Sequence, residues 1–165
     1  MQRVYSLLVD NNSGVLSRIS GLFTRRGYNI DSITAGVTAD SRFTRITIVS
    51  SGDESILSQI EKQIAKLEDV IVVKVLKPEE SVYRELILVK IRANAQQRSE
   101  IVSIADIFRA KIVDAERESL VIELTGTQSK LEAFLQLLDG YEILELARTG
   151  IAGLSRGIKD VTFIE

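Results

Sequence analysis

Two neighbouring stretches of this 165-residue chain, Asp10-Asn11-Asn12-Ser13-Gly14-Val15-Leu16 and Arg26-Gly27-Tyr28-Asn29-Ile30, carry the residue types and spacing for binding a small charged molecule. Gly14 lets another molecule approach the backbone, because no Cβ stands in the way. Asn11 to Ser13 offer side-chain caps for a helix beginning at Val15. The start of such a helix carries free N–H groups and partial positive charge, which suit an anionic head group. From pattern alone, a well-capped helix with an ordinary glycine stop explains the same residues equally well.

Other chemistry is poorly supplied. The chain has no histidine and no cysteine. The commonest general base, the commonest metal ligand, the ordinary pH switch and all thiolate chemistry are therefore missing. Gly153-Leu154-Ser155-Arg156-Gly157 spells the nucleophile-elbow pattern, but that pattern needs a following helix and a histidine, so a flexible contact arm is the better reading. Asp10, Asp40, Asp53 and Glu54 are scattered, without the spacing of a calcium or zinc site, and suit surface or capping roles. No metal site and no catalytic residue is expected. A net charge of -2 supplies no broad basic field for nucleic acid. No apolar run reaches membrane-spanning length, and the N-terminus has no signal-peptide pattern; a cytoplasmic protein is expected.

The elements that must position the Asn/Gly stretch follow from periodicity. Val15, Leu16, Ile19, Leu22 and Phe23 mark one face of a helix over 15–26, with Gly27 suited to the left-handed residue that ends it. Strands are expected over 2–9, 30–38, 43–50 and 70–76. A second helix carries Ile56, Leu57, Ile60, Ile64 and Leu67 behind an Asp53 cap. The order is βαββαβ. Pro78, the only proline, opens a polar break, and the pattern then repeats. Strands are expected over 83–91, 111–115, 119–124 and 143–147. One helix carries Ile101, Ile104, Ala105 and Phe108. The other carries Leu131, Phe134, Leu135 and Leu138, boxed by Ser129 and Glu132. The fold class is α+β, with two tandem ferredoxin-like βαββαβ domains over 1–77 and 78–165. Apolar runs such as Val70-Ile71-Val72-Val73 and Leu86-Ile87-Leu88-Val89 suggest strands buried on both faces. Residues 149–157 read as an irregular arm, and 158–165 as a short appended strand.

The first unit resembles the ACT domain, a small amino-acid-sensing module. The whole chain resembles the small regulatory subunits of acetohydroxyacid synthase (acetolactate synthase). The resemblance rests on Asn12-Ser13-Gly14-Val15-Leu16-Ser17-Arg18, on 21–30, on Arg84-Glu85-Leu86-Ile87-Leu88-Val89-Lys90-Ile91, on Gly126-Thr127-Gln128-Ser129-Lys130-Leu131 and on 150–157. It implies a non-catalytic protein that associates with a large catalytic subunit. That large subunit, and not this chain, would hold thiamine diphosphate, magnesium and FAD. The small subunit would raise its activity and make it sensitive to valine in branched-chain amino-acid biosynthesis. It also implies a homodimer paired through ACT domains. Asn11, Gly14, Val15 and Leu16 of one subunit, with Asn29 and Ile30 of the other, would bind valine or another branched-chain amino acid. The effector's carboxylate would meet the N–H groups of 14–16 and its ammonium an asparagine oxygen. The second domain, whose first loop Arg92-Ala93-Asn94-Ala95-Gln96-Gln97 lacks the Asn/Gly signature, is expected to contact partners rather than sense. A stand-alone ACT-type sensor acting on another partner is the alternative.

Overall fold

The structure is a computed structural model that describes residues 1–162. Its first sheet is built on β1 (Gln2–Asp10), which lies between β3 (Phe43–Ser51) and β4 (Val70–Leu76), with β2 (Ser32–Val37) on the outer side of β3. All neighbouring pairs are antiparallel. Two helices, α1 (Val15–Arg26) and α2 (Glu54–Ala65), complete the expected βαββαβ order. Tyr5, Leu7 and Val9 of β1 and Ile46 and Ile48 of β3 form one core with Ile19, Leu22 and Phe23 of α1 and Leu57, Ile60 and Ile64 of α2. Alternation in the strands and the 3.6-residue period in the helices bring these apolar faces together. Gly27, at φ 69, ends α1 in the left-handed conformation, and Asp53 caps α2 by accepting from the Ile56 N–H.

The Tyr5 hydroxyl lies in this core and donates to the carbonyl of Leu57 at 2.7 Å. Burial pushes its pKa up to about 12. Tyr5→Phe removes the donor and keeps the ring, so the unfolding free energy in urea should fall by about 1 kcal/mol. An unchanged midpoint would show that this bond adds nothing.

The second unit repeats the order with β5 (Ser81–Arg92), α3 (Ala95–Ile107), β6 (Lys111–Ala115), β7 (Ser119–Gly126), α4 (Gln128–Leu137) and β8 (Ile143–Arg148). Its strands run β6-β7-β5-β8, and Ile87, Val89, Ile91, Ile101, Leu120, Ile122, Leu131 and Phe134 make its core. The cap of α4 differs from expectation. Thr127, not Ser129, is the N-cap, and its hydroxyl accepts from the Lys130 N–H. The helix starts one residue before Ser129, which puts that side chain inside the first turn.

Packing divides the chain at Tyr83/Arg84 rather than 77/78, and returns residues 151–162 to the first unit. Residues 152–155 are not an irregular arm but β9 (Ala152–Ser155), which pairs with β5. Ile151 is buried with Val4, Val49, Leu76 and Tyr83, on strand positions facing away from the helices. A Cβ on Gly153 would stand 2.9 Å from Leu76 and 3.0 Å from Tyr83, so only glycine fits that close approach. The elbow-like Ser155 therefore ends a strand, with no helix after it among the described residues. Residues 158–162 form no strand, and 163–165, the rest of the expected appended strand, lie outside the described residues. Two-sided burial is incomplete: Ile71 is 42% and Leu88 38% exposed.

Candidate functional site

The β1–α1 loop frames an open cleft of about 220 Å³, lined by residues 9–16 together with Thr44 and Ile46. Four of the six expected site residues, Asn11, Gly14, Val15 and Leu16, meet there. Val15 lines the cleft but is buried in the core, whereas Leu16 is 48% exposed. Thr44 and Ile46 had no local signal: only the register of β3 against β1, which pairs Thr44 with Val9 and Phe43 with Asp10, carries them here.

Asn11 to Ser13 do not cap α1. The N-cap is Gly14, in the left-handed region at φ 86, and no side chain caps the helix. The first intrahelical bond runs from the Arg18 N–H to the Gly14 carbonyl at 2.9 Å. By helix geometry the N–H groups of Val15, Leu16 and Ser17 then have no carbonyl within the helix. No acidic residue occupies the first turn either. The start of α3 is the contrast. There Asn94 accepts from the Gln97 N–H while the Gln97 side chain accepts from the Asn94 N–H, a reciprocal cap that occupies one of the free donors of the first turn. Of these two helix starts, only the first has no side-chain cap.

Asn11 is diverted from capping by the β2–β3 hairpin. Its backbone N–H donates to the Arg42 carbonyl at 2.8 Å and its Nδ2 to the Ser41 carbonyl at 2.9 Å, while its Oδ1 accepts from the Thr44 hydroxyl at 3.1 Å. The hairpin tip is itself tied. Arg42 holds Asp40 by a 2.6 Å ion pair, and the Thr38 hydroxyl donates to the Asp40 carbonyl at 2.8 Å. On the other side of the loop, Arg18 Nε reaches Asp69 Oδ2 at 2.6 Å, and the Asp10 N–H donates to the Asp69 carbonyl at 2.9 Å.

The Arg42 hydrogen bonds hold the Asp40 carboxyl down to about 2. A carboxylate with a depressed pKa contributes its pairing above the ordinary carboxylate range, and that contribution disappears as the pH falls through about 2. An NMR titration of Asp40 should find its midpoint there, and Arg42→Ala should return it to the ordinary value near ~3.9. An ordinary midpoint in the unsubstituted chain would mean the pair does not persist in solution.

Asn29 and Ile30 are not at the cleft. Asn29 precedes β2, where its Nδ2 donates to Asp31 and its carbonyl accepts from the Ser50 hydroxyl. Ile30 packs against the first core. Along β3, Arg42 beside Asn11 and Ser50 beside Asn29 are eight residues apart, roughly 26 Å. One chain therefore separates the two halves of the expected site at opposite ends of its sheet.

Strand order, two helices and an uncapped glycine loop at the start of α1 define the first unit as an ACT domain within a two-domain α+β chain. Residues 5–72 match the AHAS small subunit-like ACT domain family, and residues 84–157 match the family described as the small subunit of acetolactate synthase. The acetolactate synthase isozyme 3 small subunit of Escherichia coli K12 is 47% identical over 160 residues, covering 96% of this chain and 98% of that one. A probable acetolactate synthase small subunit of Methanothermobacter thermautotrophicus is 48% identical over 155 residues, 93% of this chain and 92% of its own. The crystal structure of an acetolactate synthase small subunit from Thermotoga maritima superposes with a TM-score of 0.88 at 41% identity, covering 96% and 99% of the two chains. The chain belongs to the acetolactate synthase small-subunit family. Among the described residues no helix is long and apolar enough to cross a membrane.

Proposed function

We propose that this chain is a non-catalytic regulatory subunit that activates the large catalytic subunit of acetohydroxyacid synthase and makes it sensitive to valine. The thiamine diphosphate, magnesium and FAD chemistry belongs to the catalytic chain. The observation that carries the proposal is the bare edge of β2. Sheet edges are ordinarily blunted by charges, prolines or bulges. The edge strands β4, β6 and β8 carry Lys74, Lys111 with Asp114, and Glu145 with Arg148, and each pairing has a register shift. β2, Ser-Ile-Thr-Ala-Gly-Val, has no charge and an unbroken register. Val37 is 61% exposed on it.

An edge of this kind suits pairing with a second copy. Antiparallel β2–β2 pairing would bring the start of one strand beside the end of the other, and so the partner subunit's Asn29 beside the Asn11 loop. That arrangement reunites the six site residues. The effector carboxylate meets the open N–H groups of α1, its ammonium an asparagine oxygen, and its side chain the apolar wall of Val9, Leu16 and Ile46. Charge-assisted bonds contribute roughly 1.5–3 kcal/mol each and burial of a valine side chain about as much, which reaches micromolar-to-millimolar affinity. Selectivity over leucine rests on about one methylene, ~1–3 kcal/mol. A ligand bridging two copies can bias their packing, and a coupling of about 1–3 kcal/mol suffices for feedback.

The test is turnover of the cognate large subunit, with and without this chain, across a valine titration. Stimulation that valine reverses supports the proposal. Valine binding without stimulation favours a stand-alone ACT-type sensor with another partner, and neither effect overturns both readings.

A further inference from the structure

We propose that Thr44 positions the Asn11 amide for the effector's ammonium group, which makes the β2–β3 hairpin part of the effector site; this rests on the effector reading above. An asparagine amide has two ends of similar shape and opposite polarity, so hydrogen bonds alone decide which end meets a ligand. At Asn11 both ends are held. The Ser41 carbonyl can only accept, and its 2.9 Å contact selects the Nδ2 end. The Thr44 hydroxyl, 3.1 Å from Oδ1, stops the amide from swinging about that first contact. One lone pair of Oδ1 remains for an ammonium donor. Asn11 and Thr44 line the same cleft.

The frame that holds Thr44 and Ser41 is stiff. The Thr38 N–H donates to the Phe43 carbonyl at 3.0 Å, and the Phe43 N–H to the Asp40 carbonyl at 3.0 Å. Arg42 stacks over the Phe43 ring, 5.2 Å from its centre. A donor to Oδ1 also polarises the amide and strengthens the Nδ2 bond, so ligand and hairpin support each other through one side chain. Thr44 touches Asn11 and acts through it.

A double-mutant cycle read by valine calorimetry on the full-length chain tests this. Thr44→Val, which keeps shape and removes the hydroxyl, should weaken valine binding about tenfold. Thr44→Ser, which restores the donor, should bind within about twofold of the unsubstituted chain. Asn11→Ala should weaken binding, and adding Thr44→Val to it should cost nothing further, because no amide is left to orient. Full additivity of the two losses, or a Thr44→Val affinity equal to that of the unsubstituted chain, overturns the role. An unsubstituted chain that binds no valine removes the effector reading itself, whereas an intact affinity lost on neither substitution removes only the positioning role. Urea midpoints of all four variants separate these losses from unfolding.

Discussion

Gly14→Asp should leave a folded, activating subunit whose response to valine is lost, with the half-inhibitory concentration rising by about a hundredfold or more. The position is left-handed, at φ 86, where an aspartate is strained by about 1 kcal/mol but better tolerated than a branched residue. Its Cβ would stand 2.9 Å from Arg18 Nη1, the far end of a flexible side chain that can move aside. The new carboxylate would then lie beside the uncapped N–H groups of α1 and the Arg18 guanidinium. It becomes the missing cap, which offsets the strain, and it occupies the donors that the effector carboxylate needs. Two carboxylates at one helix start also repel. Gly14→Ala separates the causes, because it brings the strain and the Cβ without the charge and should lose only part of the response. Valine inhibition of Gly14→Asp at the unsubstituted concentration would remove the α1 start from the effector site.

Phe134→Ala should cost the second unit about 3–5 kcal/mol, a large share of the ~5–15 kcal/mol that holds a typical domain. Phe134 is fully buried among Ile101, Leu131 and the strands of that unit, and meets Phe108 edge-on at 5.3 Å between ring centres. The alanine leaves a cavity that rigid strands on one side and α4 on the other cannot close. Chemical denaturation followed by circular dichroism should show the transition moving to markedly lower urea. Calorimetric valine binding should persist under native conditions, because every residue lining the cleft belongs to the first unit. A loss below about 1 kcal/mol would mean that the site collapses around the smaller side chain. Loss of valine binding from a chain whose first unit stays folded would place part of the sensing in the second unit.

The elements were legible because their signals are local. The face of Ile19, Leu22 and Phe23, the Gly27 stop and the Asp53 cap each concern residues within a turn or two of one another, and repetition of the βαββαβ order needed only those patterns. The β1–α1 loop was legible as a binding candidate for the same reason: glycine ahead of an apolar helix face is a statement about seven consecutive residues. Capping was misjudged where a distant partner competed. Asn11 has the right chemistry for α1, but strand pairing brings the Ser41 carbonyl and the Thr44 hydroxyl to its side-chain amide first, and a side chain held there cannot also cap. Ser129 lost its expected role to Thr127 because the helix begins two residues earlier than the Ser/Glu spacing suggests.

By itself, then, the amino-acid order determined the helices and strands of the two βαββαβ units, that the unit occurs twice, and that a glycine stands directly ahead of the apolar face of the first helix. Tertiary structure alone decided three things. It packed Ile151 with Val4, Val49 and Leu76, away from the helices of the first unit, and made 152–155 a strand, since a strand exists only against the partner that accepts its hydrogen bonds. It carried Thr44 into the cleft through the register of β3 on β1, a relation between residues more than thirty positions apart. It also set Asn11 and Asn29 at opposite ends of one sheet, because β1 and α1 each run its full length between them. Residues close in sequence are thereby held far apart, and an antiparallel second copy is the geometry that can bring their halves together.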